Sequence, residues 1–245
     1  MATLAQPWPA AGASLRRTHA LLSVQSIVVI LVSINRLSRL TEGYVLPNQF
    51  LRWVDLINML VLPLISTLAF YLLKNHLPYA SPARDGLWHR VLGSMFIVGV
   101  YLLAASYGDH EVTNYLHVRF CPTDTTSDLC RIIIYNDDEF SHLIFFTGFV
   151  VVNASILLLQ MLFPHRGTLG LADLGLLVLN GLFIGLGIFA NLAFEQIGLD
   201  LYVVALLALL ALALLWRGGR QPLPIYYAVA YCLGLAGTAA YKALG

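Results

Sequence analysis

The chain has 245 residues, 59% of them hydrophobic and 11% charged, and a net charge of +1 at pH 7. Soluble domains carry about 25% charged residues, and the mean hydropathy here is +0.77, so lipid has to be the main solvent. The length admits about seven spans of ~20 residues with no separate soluble domain, and with so small a net charge no basic surface suggests nucleic acid.

Long apolar runs predict an all-α, polytopic transmembrane helical bundle that forms a single integral-membrane domain. Its spans are expected at about 19–38, 51–74, 87–108, 139–163, 169–194, 201–216 and 225–244. Arg16 and Arg17 precede the first run, and Asn35, Arg36 and Arg39 follow it in place of a small-residue cleavage site. That pattern predicts a retained first helix and not a signal peptide. Between the third and fourth runs lies a polar stretch, 109–138, which reads as an outer loop. It contains Cys121 and Cys130, with eight residues between them. A disulfide between them requires an oxidising compartment. The third cysteine, Cys232, falls within an apolar run, where it serves as a small packing residue. Small residues recur in the fifth and seventh runs (Gly175, Gly181, Gly185 and Gly187; Gly234, Ala236 and Gly237), a pattern that lets helices approach closely in lipid.

The basic residues favour a cytoplasmic N-terminus. That side would receive Arg16, Arg17, Lys74, Arg84, Arg90, Arg166, Arg217 and Arg220, against six basic residues on the other. The acids divide more sharply. Eleven of thirteen fall on the outer side, and only Asp85 and Asp173 lie inside. A bacterial inner membrane or a plasma membrane accommodates this arrangement.

Chemistry concentrates between Ser106 and His142. His110, His117 and His142 all belong to the acidic side, whereas His19, His76, His89 and His165 sit at the opposite helix ends. If the third helix continues past Gly108, His110, Asn114 and His117 share one face. Asp138 and His142 are four residues apart at the start of the fourth span, and Glu139 and His142 three apart. Imidazole and carboxylate ligands from several helices suit Zn, with Fe or Cu as alternatives. His110, His117, His142 and Asp138 are therefore the expected metal ligands. Glu139, Glu111 and Glu195 are the expected acid–base or ligand-orienting groups. Glu139-x-x-His142 also matches half of a di-iron carboxylate pattern, without its second Glu-x-x-His. Helix-end acids have a structural alternative, since Asp137, Asp138 and Glu139 favour a helix N-terminus electrostatically.

Ser106-Tyr-Gly-Asp-His110 followed by Asp138-Glu139 resembles motifs of the seven-helix membrane hydrolases that include alkaline ceramidases and the progestin and adipoQ receptors. The likeness covers roughly 35 residues, and the family's final-helix His-x-x-x-His has no counterpart here. It implies a zinc-binding histidine and hydrolysis of a lipid amide or ester. The expected function is thus a metal-dependent membrane enzyme, most simply a hydrolase, acting on a membrane lipid or another hydrophobic substrate at the outer face. The alternatives are a metal-dependent oxidase or hydroxylase, or a subunit of one, and a non-enzymatic transporter, receptor or assembly subunit.

Overall fold

The computed structural model describes residues 11–78, 86–194 and 198–244. Arg84, Asp85 and Glu195 lie outside the described residues. Seven helices are long and apolar enough to cross a membrane: α1 (Ala11–Leu37), α2 (Trp53–His76), α3 (Leu87–Phe120), α4 (Asp128–Leu162), α5 (Leu171–Phe194), α6 (Leu199–Gly218) and α7 (Pro222–Leu244). Among the described residues there is no strand beyond an isolated bridge between Tyr44 and Arg52. The fold is an all-helical bundle, as the composition requires.

Lipid as solvent inverts the usual distribution of polarity. Leu64, Leu68, Ile97, Val98 and Leu209 face outward, while hydrogen-bonded polar side chains are buried between helices. Ser26 donates to Asn180 Oδ1 (2.8 Å), and Ser66 donates to Gln25 Oε1 (2.6 Å). Each bond holds two helices together where no water competes. The pairings α1–α2, α2–α3, α3–α4, α4–α6, α6–α7, α7–α5 and α5–α1 close a ring. Within it α7 is the most enclosed helix, and it buries Tyr226, Tyr227 and Tyr231.

Two crossings are made by glycine. A Cβ on Gly148 of α4 would lie 2.8 Å from the Gly99 carbonyl oxygen of α3, and one on Gly99 would lie 2.9 Å from the Val152 nitrogen. The backbones touch there. On α5, Gly181 and Gly185 admit the Tyr226 and Ala230 carbonyls of α7 just as closely, at 2.9 Å. Gly175 lines open space instead, so its place in the small-residue pattern has no packing role.

The third and fourth helices are longer than the apolar runs predict. α3 continues twelve residues past Gly108, and α4 begins at Asp128, so the expected loop 109–138 shrinks to 121–127. At 1.5 Å per residue the 34 residues of α3 extend about 51 Å, against a hydrocarbon core of about 30 Å. Its last turns and the first turns of α4 therefore rise beyond the hydrocarbon at the end of the bundle that is rich in acids. The Cys121–Cys130 disulfide joins the two helices there, with Cα atoms 5.6 Å apart. In the loop between them Asp124 accepts from Ser127 and Thr126, and these hydrogen bonds, with Ser127 first, hold its carboxyl down at about 2.

Two helical turns are widened. In α2, Pro63 supplies no N–H for the Met59 carbonyl, and the preceding segment Ile57–Val61 relaxes into a π turn. In α4 the π turn spans Asn136–Phe140.

The glycine contacts generate a paired prediction. Gly148→Leu should destabilise the bundle by about 1–3 kcal/mol or more, through forced separation of α3 and α4. Gly175→Leu should leave stability near that of the parent. Thermal unfolding of both variants in the same detergent measures the difference, and equal midpoints would contradict the close-packed crossing.

Candidate metal centre at the α3–α4 end

The π turn builds the site. In an α-helix the Ser141 N–H would bond to the Asp137 carbonyl, but here it bonds to Asn136. The freed Asp137 carbonyl accepts instead from Ser141 Oγ (2.7 Å) and from His110 Nδ1 of α3 (3.3 Å). Ser106 Oγ donates to the Ser141 carbonyl at 2.8 Å and ties the same turn to α3. The extra residue rotates the helix face, so that Asp137 and not Asp138 points at α3. Asp137 is 1% exposed.

Its carboxylate meets three side chains from one face of α3. His117 Nδ1 lies 2.8 Å from Oδ2, Asn114 Nδ2 lies 3.4 Å from Oδ2, and His110 Nδ1 lies 3.1 Å from Oδ1. The His110 proton is directed to the backbone carbonyl, so Oδ1 remains buried without a hydrogen bond. Carboxylate and carbonyl oxygens only accept. Both imidazoles must therefore carry their proton on Nδ1, and Nε2 is the basic nitrogen of each neutral ring. Asp138 is exposed beside this group. His117, Asp137 and Asp138 each place one ligand atom within 4.8 Å of the others. Around a zinc ion with ligand bonds of about 2.0–2.2 Å, neighbouring ligand atoms are about 3.3 Å apart. Closure requires Asp138 to move inward and His117 to ligate through Nδ1, giving up the proton that it donates to Asp137.

The remaining expected residues sit elsewhere. His142 is half-buried and meets the edge of the His110 ring, with centroids 5.0 Å apart, outside the group of three. Glu139 is exposed, and the π turn breaks the spacing that placed it with His142. Glu111 is 3% exposed and occupies the adjacent face of α3, where it pairs with Arg36 of α1. Beside it Asp55 of α2 forms a bidentate pair with Arg52, with both contacts at 2.8 Å. Asn191 of α5 donates to buried Asp200 of α6 at 3.0 Å. The residue that sequence reasoning missed is Asp137. Its signal was present but ambiguous, because three consecutive acids point in three directions and the register decides between them.

The proton positions generate a spectroscopic prediction. At pH 8.5, metal-depleted ¹⁵N-labelled protein should show His110 and His117 as Nδ1–H tautomers, and Asp137→Ala should release His117 from that state. An Nε2–H signal from His117 in the parent protein would contradict the arrangement.

Comparison of the chain with protein-family models, with curated proteins and with solved structures finds no match to any of them.

Proposed function

We propose that this protein is an integral-membrane metalloenzyme whose metal is held between α3 and α4 by His117, Asp137 and Asp138. The observation that carries the reading is the buried Asp137 carboxylate, whose Oδ1 accepts no hydrogen bond, beside the imidazoles of His110 and His117. A buried carboxylate oxygen without a donor is costly, and a cation removes that cost. Three nitrogen and oxygen ligands match zinc sites of the catalytic kind, which keep a position open. Fe and Cu remain the alternatives for the same donors.

When bound, such a metal would acidify water and polarise a carbonyl, which is the chemistry of amide and ester hydrolysis. The chain's own residues supply the rest. In the metal-free protein Asp137 orients His117 and the Asp137 carbonyl orients His110, and a bound cation would take the place of the His117 Nδ1 proton. His142, with its ring edge on His110, is a positioning residue and not a ligand in this reading. The helix turns carrying the site rise past the hydrocarbon, at the depth of lipid headgroups. A lipid or other amphipathic molecule presenting an amide or ester at that depth is the substrate class. The Cys121–Cys130 disulfide supports an acidic end that faces an oxidising compartment, with the N-terminus cytoplasmic. An inner or plasma membrane fits that placement.

The test is elemental analysis of the detergent-purified protein, followed by zinc titration of the metal-depleted protein. About one ion per chain is expected in the parent and in His142→Ala. A loss of at least tenfold in affinity is expected in Asp137→Ala and in His117→Ala. Affinity should also weaken on acidification, because protons compete for the same ligands. Hydrolysis of lipid amides or esters should then follow metal content and stop with a chelator. A parent protein that takes up no metal would overturn the reading, and the cluster would stand as a structural polar network.

A further inference from the structure

A second site lies on the face of α3 adjacent to the one that meets Asp137. The loop of residues 43–52, the first turns of α2 and the last turns of α3 enclose a cavity of about 190 Å³, roughly six water volumes at about 30 Å³ each. Its wall is mainly apolar and includes Phe50, Leu51, Met59, Val112 and Leu116. Two acids, Asp55 and Glu111, also reach it, but Arg52 and Arg36 neutralise them. A third arginine, Arg119, lines the same cavity and pairs with no carboxylate among the described residues. The two acids and three arginines leave one positive charge in excess.

The loop is built as a cover. Val45 N–H bonds to the Leu51 carbonyl (2.8 Å), and Trp53 N–H bonds to the Gly43 carbonyl (2.9 Å). At its tip Gln49 has φ +60°, a left-handed conformation that a residue with a Cβ rarely adopts. The Gln49 carbonyl is held in place by Tyr115 Oη at 2.6 Å and by Arg119 Nη1. Strain held by specific bonds at the edge of a cavity is characteristic of a functional loop. Arg119 spends only Nη1 on these bonds, which it shares between Gln49 and Tyr115. Its Nε and Nη2 form the pair of parallel donors that grips a phosphate from one side. Phe50 and Phe120, which line the cavity, are largely exposed, and such aromatic rings are typical of the level where hydrocarbon meets headgroups.

We propose that this cavity is a binding site for one anionic phospholipid, with part of an acyl chain between Met59, Val112 and Leu116 and its phosphate on Arg119. The apolar wall selects a hydrocarbon segment, and the excess positive charge selects an anionic headgroup over a zwitterionic one. The site does not depend on the metal centre, because its residues occupy another face of α3.

Native mass spectrometry of the full-length protein, released from nanodiscs of equal phosphatidylcholine and phosphatidylglycerol, tests the proposal. The parent should retain one phosphatidylglycerol in preference to phosphatidylcholine by about tenfold. Arg119→Gln should lose that preference, and Arg119→Lys should recover part of it. Val112→Phe, which fills the cavity from its rim, should lose the retained lipid while keeping the parent's circular dichroism. Should Val112→Phe fail to fold, the Arg119 pair decides alone, since that side chain is exposed at the helix end. Equal retention of both lipids by the parent, or an unchanged preference in Arg119→Gln, would overturn the proposal. So would full displacement of the lipid by inorganic phosphate, which would identify a site for the free anion.

Discussion

The backbones of α3 and α4 touch where Gly99 meets Gly148, and the position of every side chain in the candidate centre follows from that contact. In lipid no hydrophobic force pushes two apolar helices together, so close van der Waals approach has to hold the pair. Glycine on both sides permits it. Once the crossing is fixed in the middle of the membrane, the two helices leave the hydrocarbon side by side. The Cys121–Cys130 bridge then closes the pair at the top. His110 and His117 on one helix and Asp137 on the other have no freedom to drift apart.

The π turn at Asn136–Phe140 converts this rigid pair into a site. It frees one carbonyl from the helical ladder, and the polar side chains Ser141 and His110 satisfy it. Ser141 is fully buried and in turn receives Ser106 at its own carbonyl. A widened turn buried among such partners is stable only because every freed group finds a donor. Asp137 Oδ1 is buried there without a hydrogen bond, and His110 Nδ1 lies 3.1 Å from it.

The helical architecture was legible because it depends on composition. Seven long apolar runs can be solvated by lipid in only one way, and their count needed no knowledge of packing. The face shared by His110, Asn114 and His117 was also legible, since it required only that α3 stay helical past Gly108. The ends of α3 and α4 were not. Residues 109–120 are polar enough to resemble a loop, and they are helical because partners on both sides hold them: Asp137 on one, and Arg36 and the Gln49 carbonyl on the other. Asp137 was hidden for a related reason. An expected i, i+4 ladder assigns Asp138 to the face of His142, and one additional residue in the turn moves the assignment by a position. Nothing local announces that insertion. Pro63 gives such a signal for the other π turn, but residues 136–140 contain no proline.

The end of α3 thus has two chemical faces one residue apart. His110 and His117 are directed at a single carboxylate on α4, whereas Glu111 and Tyr115 are directed at α1, α2 and the covering loop. The separation is energetically necessary. Glu111 and Asp55 are buried acids, and a buried charge persists only beside its counter-charge. Arg36 and Arg52 supply that, which leaves the histidine face free of competing arginines close to Asp137. Had Arg36 reached Asp137 instead, the carboxylate would be neutralised by a fixed cation and its open oxygen filled. The arginine pairs on one face are what keep the other face available to a dissociable ligand.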